Sequence, residues 1–302
     1  MLQIRVPATS ANMGPGFDCL GVALNLYNRY QVEECEEGLH IDGCEEDYRN
    51  ENNLFYLSMR KCFDEIDCSN GKRGLKISFD SDIPVSRGLG SSAACIVGGV
   101  LAANELSGGK LNSTEILEIA SEIEGHPDNI TPALFGGMTV SIKEGCQVYY
   151  ERIRLPGGLK FCAIIPDFRL STKEARAVLP QSIPYKDGVY NVGRVSLMIA
   201  ALSNGNFDLL RLACSDRLHE NYRGTLIRNF DEIVKECNRL DSLCVFLSGA
   251  GPTIMTVLRE DDSRFFPHMQ EYLRRLDSKW ILKELRSDSN GAFVSRDQTS
   301  KI

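Results

Sequence analysis

From Pro84 to Ala94 the chain reads Pro-Val-Ser-Arg-Gly-Leu-Gly-Ser-Ser-Ala-Ala, and it passes without a break into small, helix-forming residues as far as Leu106. Gly88 and Gly90 let a backbone come close to an anion. A helix starting at Ser91 turns the free N–H groups of its first turn toward the same point, and its macrodipole adds positive potential there. The hydroxyls of Ser91 and Ser92 can add a phosphate contact or a Mg²⁺ ligand. This is a phosphate cradle built without a Walker lysine, since Gly-x₄-Gly-Lys-Ser/Thr occurs nowhere in the chain. Taken alone, the run also fits a flexible loop ahead of an ordinary helix cap. It further matches Gly-x-Gly-x-x-Ala through Gly88, Gly90 and Ala93, the pattern of a dinucleotide-binding turn. Context argues against that third reading. Residues 84–87 separate the glycines from the preceding strand, and Ser107-Gly108-Gly109 stands where an acidic strand end is needed.

The chain has 302 residues, which suits two domains or one large one. Hydrophobic residues make up 43% and charged residues 25%, so global disorder is excluded. The net charge of −7 presents no footprint for a phosphate backbone, and nucleic acid is not an expected partner. The eleven cysteines form no CxxC pair, which argues against a zinc site or a disulfide framework and for reduced thiols in a reducing cytoplasm. No apolar signal segment precedes the first strand. The longest uncharged window, 88–104, falls short of the roughly 20 residues of a membrane helix. The expectation is a cytoplasmic protein without a membrane partner.

Periodicity predicts strands over Leu2–Val6, Val22–Glu33 and Leu75–Phe79, and helices over Asn53–Ile66, Ser91–Leu106 and Ser113–Glu124, the last capped by Ser113. Strands over Met138–Ile142 and Val148–Ile153 close the first half. A break at Leu155-Pro156-Gly157-Gly158 marks a boundary between domains 1–155 and 156–302. Beyond it come a strand at Lys160–Ile165, helices at Val189–Leu202, Phe207–Leu218 and Leu226–Leu240, strands at Cys244–Ser248 and Thr253–Leu258, a helix at Phe266–Leu276 and a strand at Trp280–Leu285. With the helical block counted as one layer, this is β-α-β-β-α-β, a split βαβ pattern. The fold class is α+β.

Four more segments carry chemistry. Pro7-Ala8-Thr9-Ser10-Ala11-Asn12-Met13-Gly14-Pro15-Gly16-Phe17-Asp18 is polar and glycine-punctuated, and Asn12 and Asp18 offer an amide and a carboxylate. Such residues also bond their own turns. Glu124-Gly125-His126-Pro127-Asp128-Asn129 sets a carboxylate beside an Asp-Asn pair, as a Mg²⁺ ligand with substrate contacts would require. His126 by itself fits a structural hydrogen-bonder. Ser248-Gly249-Ala250-Gly251-Pro252-Thr253 is either a hairpin loop or a ligand-facing turn. Arg176 and Arg223 are suited to gripping a carboxylate, or else are solvated surface groups.

In this order and spacing, the N-terminal strand and loop, the Gly-Leu-Gly-Ser-Ser-Ala-Ala loop and the Ser-Gly-Ala-Gly-Pro-Thr loop resemble the GHMP kinase superfamily. Pro-Ala-Thr-Ser-Ala-Asn-Met-Gly-Pro-Gly-Phe-Asp, Glu-Gly-His-Pro-Asp-Asn and Ser-Thr-Lys-Glu-Ala-Arg narrow the resemblance to its homoserine kinase family. The likeness runs from Val6 to about Thr253. It implies an N-terminal domain like ribosomal protein S5 domain 2, a ferredoxin-like C-terminal domain, and a site between them. It places Gly88, Leu89, Gly90, Ser91 and Ser92 around the ATP phosphates, adds Pro84, Arg87 and Ala93 to the ATP-binding residues, and sets Asn53 near the adenine. Mg²⁺ falls to Ser92 and Glu124, with Glu122 and Glu118 close by in sequence. Asn12, Asp18, His126, Asn129, Thr172, Arg176, Arg223 and Gly249 are placed around L-homoserine.

The implied reaction is in-line attack of the L-homoserine side-chain hydroxyl on the γ-phosphoryl group of ATP, catalysed by positioning and charge neutralisation. Asp18 takes the ammonium, and Arg176 and Arg223 take the carboxylate. Asn129, Glu124 and Ser92 are the expected catalytic group. Asn129 orients the hydroxyl, while Asp128 fixes its loop instead of acting as a base. The alternatives are another small-molecule GHMP kinase, a nicotinamide enzyme and an S5-shaped RNA-binding module. A homodimer is carried as a further expectation.

Overall fold

Strand β1, Leu2–Ala11, alternates buried and exposed residues at its start and is buried throughout its second half. That change sets the fold, because the buried half passes beneath the cavity described below. β1 pairs with β2, Leu20–Cys35, and the register shifts between Pro7 and Ala8. Pro7 has no N–H for the ladder, so it sits at an irregularity of this kind. The computed structural model describes residues 1–66 and 74–296.

The first sheet has seven strands. Its main path runs β11–β1–β2–β4–β3, with β3 at Leu39–Asp42, β4 at Gly74–Ser81 and β11 at Phe293–Arg296. A hairpin of β5, Met138–Glu144, and β6, Gln147–Ile153, joins through β2. Helix α1, Leu54–Glu65, helix α2, Ser91–Leu106, and helix α3, Ser113–Glu124, pack together over this sheet. α2 approaches α1 so closely that a Cβ on Gly99 would stand 2.3 Å from the Phe55 carbonyl oxygen. Gly99→Ala is therefore expected to destabilise the fold by about 1–3 kcal/mol, the usual cost of overpacking. A fall in the urea midpoint at unchanged slope checks this.

The second sheet is antiparallel, in the order β10–β7–β9–β8. Its strands are β7, Leu159–Pro166, β8, Cys244–Leu247, β9, Ile254–Arg259, and β10, Trp280–Leu285. Numbered from the boundary this is 4-1-3-2, the order of a ferredoxin-like sheet. β7 reads as a continuous apolar run because both of its faces are covered. Phe161, Ala163 and Ile165 join a core shared with the first sheet. Cys162 and Ile164 join a second core with helix α9, Phe230–Arg239, and helix α10, Phe265–Leu273.

Several expectations need correction. The cap of α3 is Asn112, not Ser113. Its side chain accepts from Thr114 N and Glu115 N at 2.8 and 3.2 Å, and Glu115 returns the bond, because Glu115 stands three residues after Asn112. The helix expected over Phe207–Leu218 breaks into a 3₁₀ turn at Phe207–Leu209 and a short helix α7 at Leu210–Ala213. The Asp216 carboxylate takes the N–H groups of Leu218, His219 and Glu220 and starts a new turn, α8, Glu220–Arg223. α9 begins at Phe230 instead of Leu226, after Asn229 in the left-handed region at φ 59°. β3, β11, helix α4 at Ile130–Phe135 and helix α5 at Thr172–Ala177 go beyond the periodicity reading. Helix α6 extends over Tyr185–Asn204. Because β11 pairs with β1, the chain returns to the first sheet after β10, so a single cut after residue 155 does not separate the two sheets. Among the described residues no helix is long and apolar enough to cross a membrane.

Candidate active site

β1 runs out at Ala11 into loop 12–18, and three other connections meet it: loop 84–90 before α2, loop 125–129 after α3, and loop 248–253 between β8 and β9. They enclose a cavity of about 550 Å³. Backbone hydrogen bonds tie the loops to one another. Thr9 N donates to Leu89 O, Gly249 N to Ala11 O, and Thr253 N to Arg87 O. A hydroxyl relay crosses beneath. Ser248 Oγ donates to Gly88 O at 2.6 Å, which leaves Ser10 as the donor to Ser248 at 2.7 Å.

The phosphate loop has the form its sequence suggests. Gly90 caps α2 with φ 70°, and a Cβ there would stand 1.9 Å from Thr9 Oγ1. No side chain caps the helix, so the N–H groups of its first turn are left without a capping acceptor where Gly90, Ser91 and Ser92 line the cavity. Ser92 Oγ donates to Glu124 Oε2 at 2.6 Å, setting a hydroxyl and a carboxylate together beside that turn. Burial raises the Glu124 pKa, partly offset by the Ser92 hydrogen bond. These are hard oxygen donors, and Mg²⁺ favours them in combination with phosphate oxygens.

Also in the cavity lining, Arg176 grips Asp18 with two nitrogens, at 2.8 and 3.1 Å. Arg223 lies deeper and is 1% exposed. Its Nε donates to Ala175 O at 3.1 Å and its Nη1 to Gly249 O at 3.2 Å. Burial first, and then repulsion from Arg176, push its pKa down to about 10. A buried cation whose partners are carbonyls favours an anion beside it. Asn12 Nδ2 donates to the same Gly249 oxygen at 2.7 Å, and Asn12 Oδ1 accepts from Asp18 N at 2.9 Å. Phe17 provides a ring beneath both arginines.

The same lining includes the His126–Asp128–Asn129 element. Asp128 is buried, and one of its oxygens receives both His126 Nδ1 at 2.6 Å and Asn129 Nδ2 at 3.2 Å. Asn129 Oδ1 accepts from Thr9 at 2.7 Å. Burial lowers the His126 pKa, but Asp128 and Glu124 outweigh it and the net shift is upward.

Asn12, Asp18, Asn53, Pro84, Arg87, Gly88, Gly90, Ser91, Ser92, Glu124, His126, Asn129, Thr172, Arg176, Arg223 and Gly249 all line this cavity. Leu89 and Ala93 do not; both are wholly buried in the core. Two of these lining residues also spend their side chains on protein partners. Arg87 spends its guanidinium on the carbonyls of Val85, Pro166 and Asp167. Asn53 caps α1 and donates to Tyr48 O. Glu122 pairs with Lys61 on the surface. Sequence reasoning missed Phe17 and His219, although His219 lies four residues before Arg223, one helical turn away. It also missed the wall formed by Cys44, Glu45 and Tyr48, for which local sequence gives no signal.

Comparison with known proteins gives the same outline. Residues 53–137 match the model for the GHMP kinases N terminal domain, and residues 198–275 the model for the GHMP kinases C terminal domain. A homoserine kinase of Clostridium botulinum (strain ATCC 19397 / Type A) is 58% identical over 295 residues, 98% of this chain and 99% of the relative. One from Clostridium beijerinckii is 51% identical over 97% and 98%. Among solved structures, homoserine kinase from Cytophaga hutchinsonii superposes with a TM-score of 0.86 at 26% identity, covering 97% of each chain. L. major mevalonate kinase, at 17% identity, shares the fold with a TM-score of 0.72 over 95% of each. With identity this high across nearly the whole of both chains, the protein belongs to the homoserine kinase family of the GHMP kinases.

Proposed function

We propose that the protein transfers the γ-phosphoryl group of ATP to the side-chain hydroxyl of L-homoserine, giving ADP and O-phospho-L-homoserine. The observation that carries this reading is the charge pattern of the cavity. The lining brings together the uncapped N-terminus of α2, an acid gripped by Arg176, and the buried cation of Arg223. A zwitterionic amino acid meets these groups with complementary charges, its ammonium at Asp18 and its carboxylate at Arg176 and Arg223. Its short hydroxyl side chain is then directed toward the phosphate loop, with Asn129 to orient it.

Gly88, Gly90, Ser91 and Ser92 hold the phosphates through backbone N–H groups. Asn53 and Tyr48 form the wall nearer the base. Ser92 and Glu124 would hold Mg²⁺, which when bound neutralises charge on the β- and γ-phosphoryl oxygens. Bringing the hydroxyl and the phosphoryl group together in line accounts for much of the rate, since a loose transition state asks little of a base.

The decisive measurement is ADP release over a panel of L-homoserine, mevalonate, galactose and shikimate. Turnover of another alcohol with L-homoserine inert would overturn the assignment.

Asp128 is the nominee for a base, but its hydrogen bonds point to a different role. It anchors His126 and Asn129. Asp128→Asn is therefore expected to lower kcat by less than the roughly 10²–10⁴ of a lost general base, with the acid limb of the pH–rate profile kept. A loss beyond about 10³ in a folded variant with normal nucleotide binding would make Asp128 the base.

A further inference from the structure

Loop 12–18 carries Asn12 and Asp18 into the cavity in an unusual backbone conformation. Asn12, Met13, Gly14 and Asp18 have φ of 68°, 44°, 70° and 57°. Non-glycine residues persist in that region only where their surroundings over-determine them. One such support comes from the turn leading into α8. His219 is wholly buried, and its Nε2 lies 2.9 Å from the Gly14 carbonyl oxygen. Its ring stacks on Phe17 with centroids 5.0 Å apart and planes 21° from parallel. At the other edge, Nδ1 faces Arg223 Nη1 at 3.5 Å.

These contacts fix the proton. A carbonyl oxygen only accepts, and a guanidinium only donates. The ring serves both as a neutral imidazole with its proton on Nε2, donating to Gly14 and accepting from Arg223. The other charged groups around it are Asp216, 3.9 Å from Nε2, and Asp18 on the loop. Asp216 is already engaged by Asn191 Nδ2 and three backbone N–H groups. Burial, with a smaller push from Arg223, lowers the pKa of His219 against Asp216, the Gly14 carbonyl and Asp18, which all pull it up.

We infer that His219 is a positioning residue for phosphoryl transfer, which as the neutral Nε2–H tautomer locks loop 12–18 and the Arg223 guanidinium in the one arrangement that binds the amino-acid end of the substrate. It is not among the residues lining the cavity, so it acts through Gly14, Phe17 and Arg223 rather than on the substrate. The inference rests on Arg223 being the carboxylate contact.

The test combines steady-state kinetics of His219→Ala and His219→Gln, ADP affinity by calorimetry, and ¹⁵N-histidine NMR of the unmodified full chain. His219→Ala should raise the KM for L-homoserine by roughly 10- to 100-fold, the effect of losing hydrogen bonds to a charged group, while the KM for ATP stays within about two-fold. His219→Gln keeps an N–H that can reach Gly14 and should recover more than half of that loss on a logarithmic scale. The NMR signal that disappears in His219→Gln should carry the signature of the Nε2–H tautomer. Three results overturn the inference: both KM values rising together with ADP affinity kept, Gln behaving no better than Ala, or an Nδ1–H tautomer. If His219→Ala fails to fold, the Gln variant and the tautomer still decide. If the unmodified enzyme leaves L-homoserine unphosphorylated, the functional reading fails, while the tautomer result stands independently.

Discussion

Glu124→Gln should lower kcat by on the order of 10²-fold or more, the scale of losing one important electrostatic stabiliser, and should leave L-homoserine binding largely intact. The change keeps the side chain's shape and its capacity to accept from Ser92, now 2.6 Å away. What it removes is negative charge at the one place where a carboxylate and a serine hydroxyl meet beside the uncapped start of α2. That carboxylate is already costly to keep ionised, because burial raises its pKa. A nearby divalent cation reverses that cost, so the variant should also lose most of the gain in ADP affinity that Mg²⁺ provides. Calorimetry with and without Mg²⁺ reads this apart from turnover. Glu122→Gln is the control. Its side chain is 55% exposed and paired with Lys61, so turnover should be near normal. If Glu122→Gln were the damaging change and Glu124→Gln harmless, the ligand would be Glu122.

How much of this was legible in the sequence depended on whether the cause was local. The limits of α2 could be read directly because Gly90 ends the loop and small residues fill every turn after it. β10 was equally readable from its own pattern. The region around Asp216 was not. Leu209, Leu210, Ala213 and Leu218 have helical spacing, but a carboxylate that captures three N–H groups ends one helix and starts another. Nothing in the spacing of apolar residues records that competition. β11 was invisible for a different reason. Four residues form a strand only because the edge of β1 is there to pair with, close to 300 residues away along the chain.

The candidate site divides along the same line. Glycines and hydroxyls at a helix start carry their chemistry in their own sequence, so the shape of loop 84–90 and the start of α2 were readable before any fold. The places of Arg87 and Asn53 are implied by the family resemblance, which says nothing of competing partners within the protein. Arg87 finds three carbonyls and binds the phosphate loop to the end of β7, while Asn53 finds the free N–H groups of α1. Both residues line the cavity, and these hydrogen bonds fix the shape of its wall.

The two arginines, equivalent in the sequence, are made unequal by the fold, and the second large effect follows from that. The Arg176 side chain is 39% exposed and already paired with Asp18. Arg223 is buried, donates to two carbonyls, and is pushed down to about 10 by burial and by Arg176. A carboxylate arriving beside Arg223 offsets both the burial and the repulsion, and so gains more there than at the exposed partner. Truncating one member of a desolvated charge pair costs about 2–5 kcal/mol, so Arg223→Ala should raise the KM for L-homoserine by roughly 30-fold at least. Arg176→Ala should cost less, because solvent screens it and its loss frees Asp18 to meet the ammonium. Arg223→Lys should recover only part of the loss, since a single ammonium cannot hold Ala175 O and Gly249 O while also presenting a fork to a carboxylate. The KM for ATP should stay nearly constant across all three variants, and ADP affinity verifies that each is folded. A parallel rise in both KM values for Arg223→Ala would mean that Arg223 supports the cavity as a whole, and the carboxylate would then belong to Arg176.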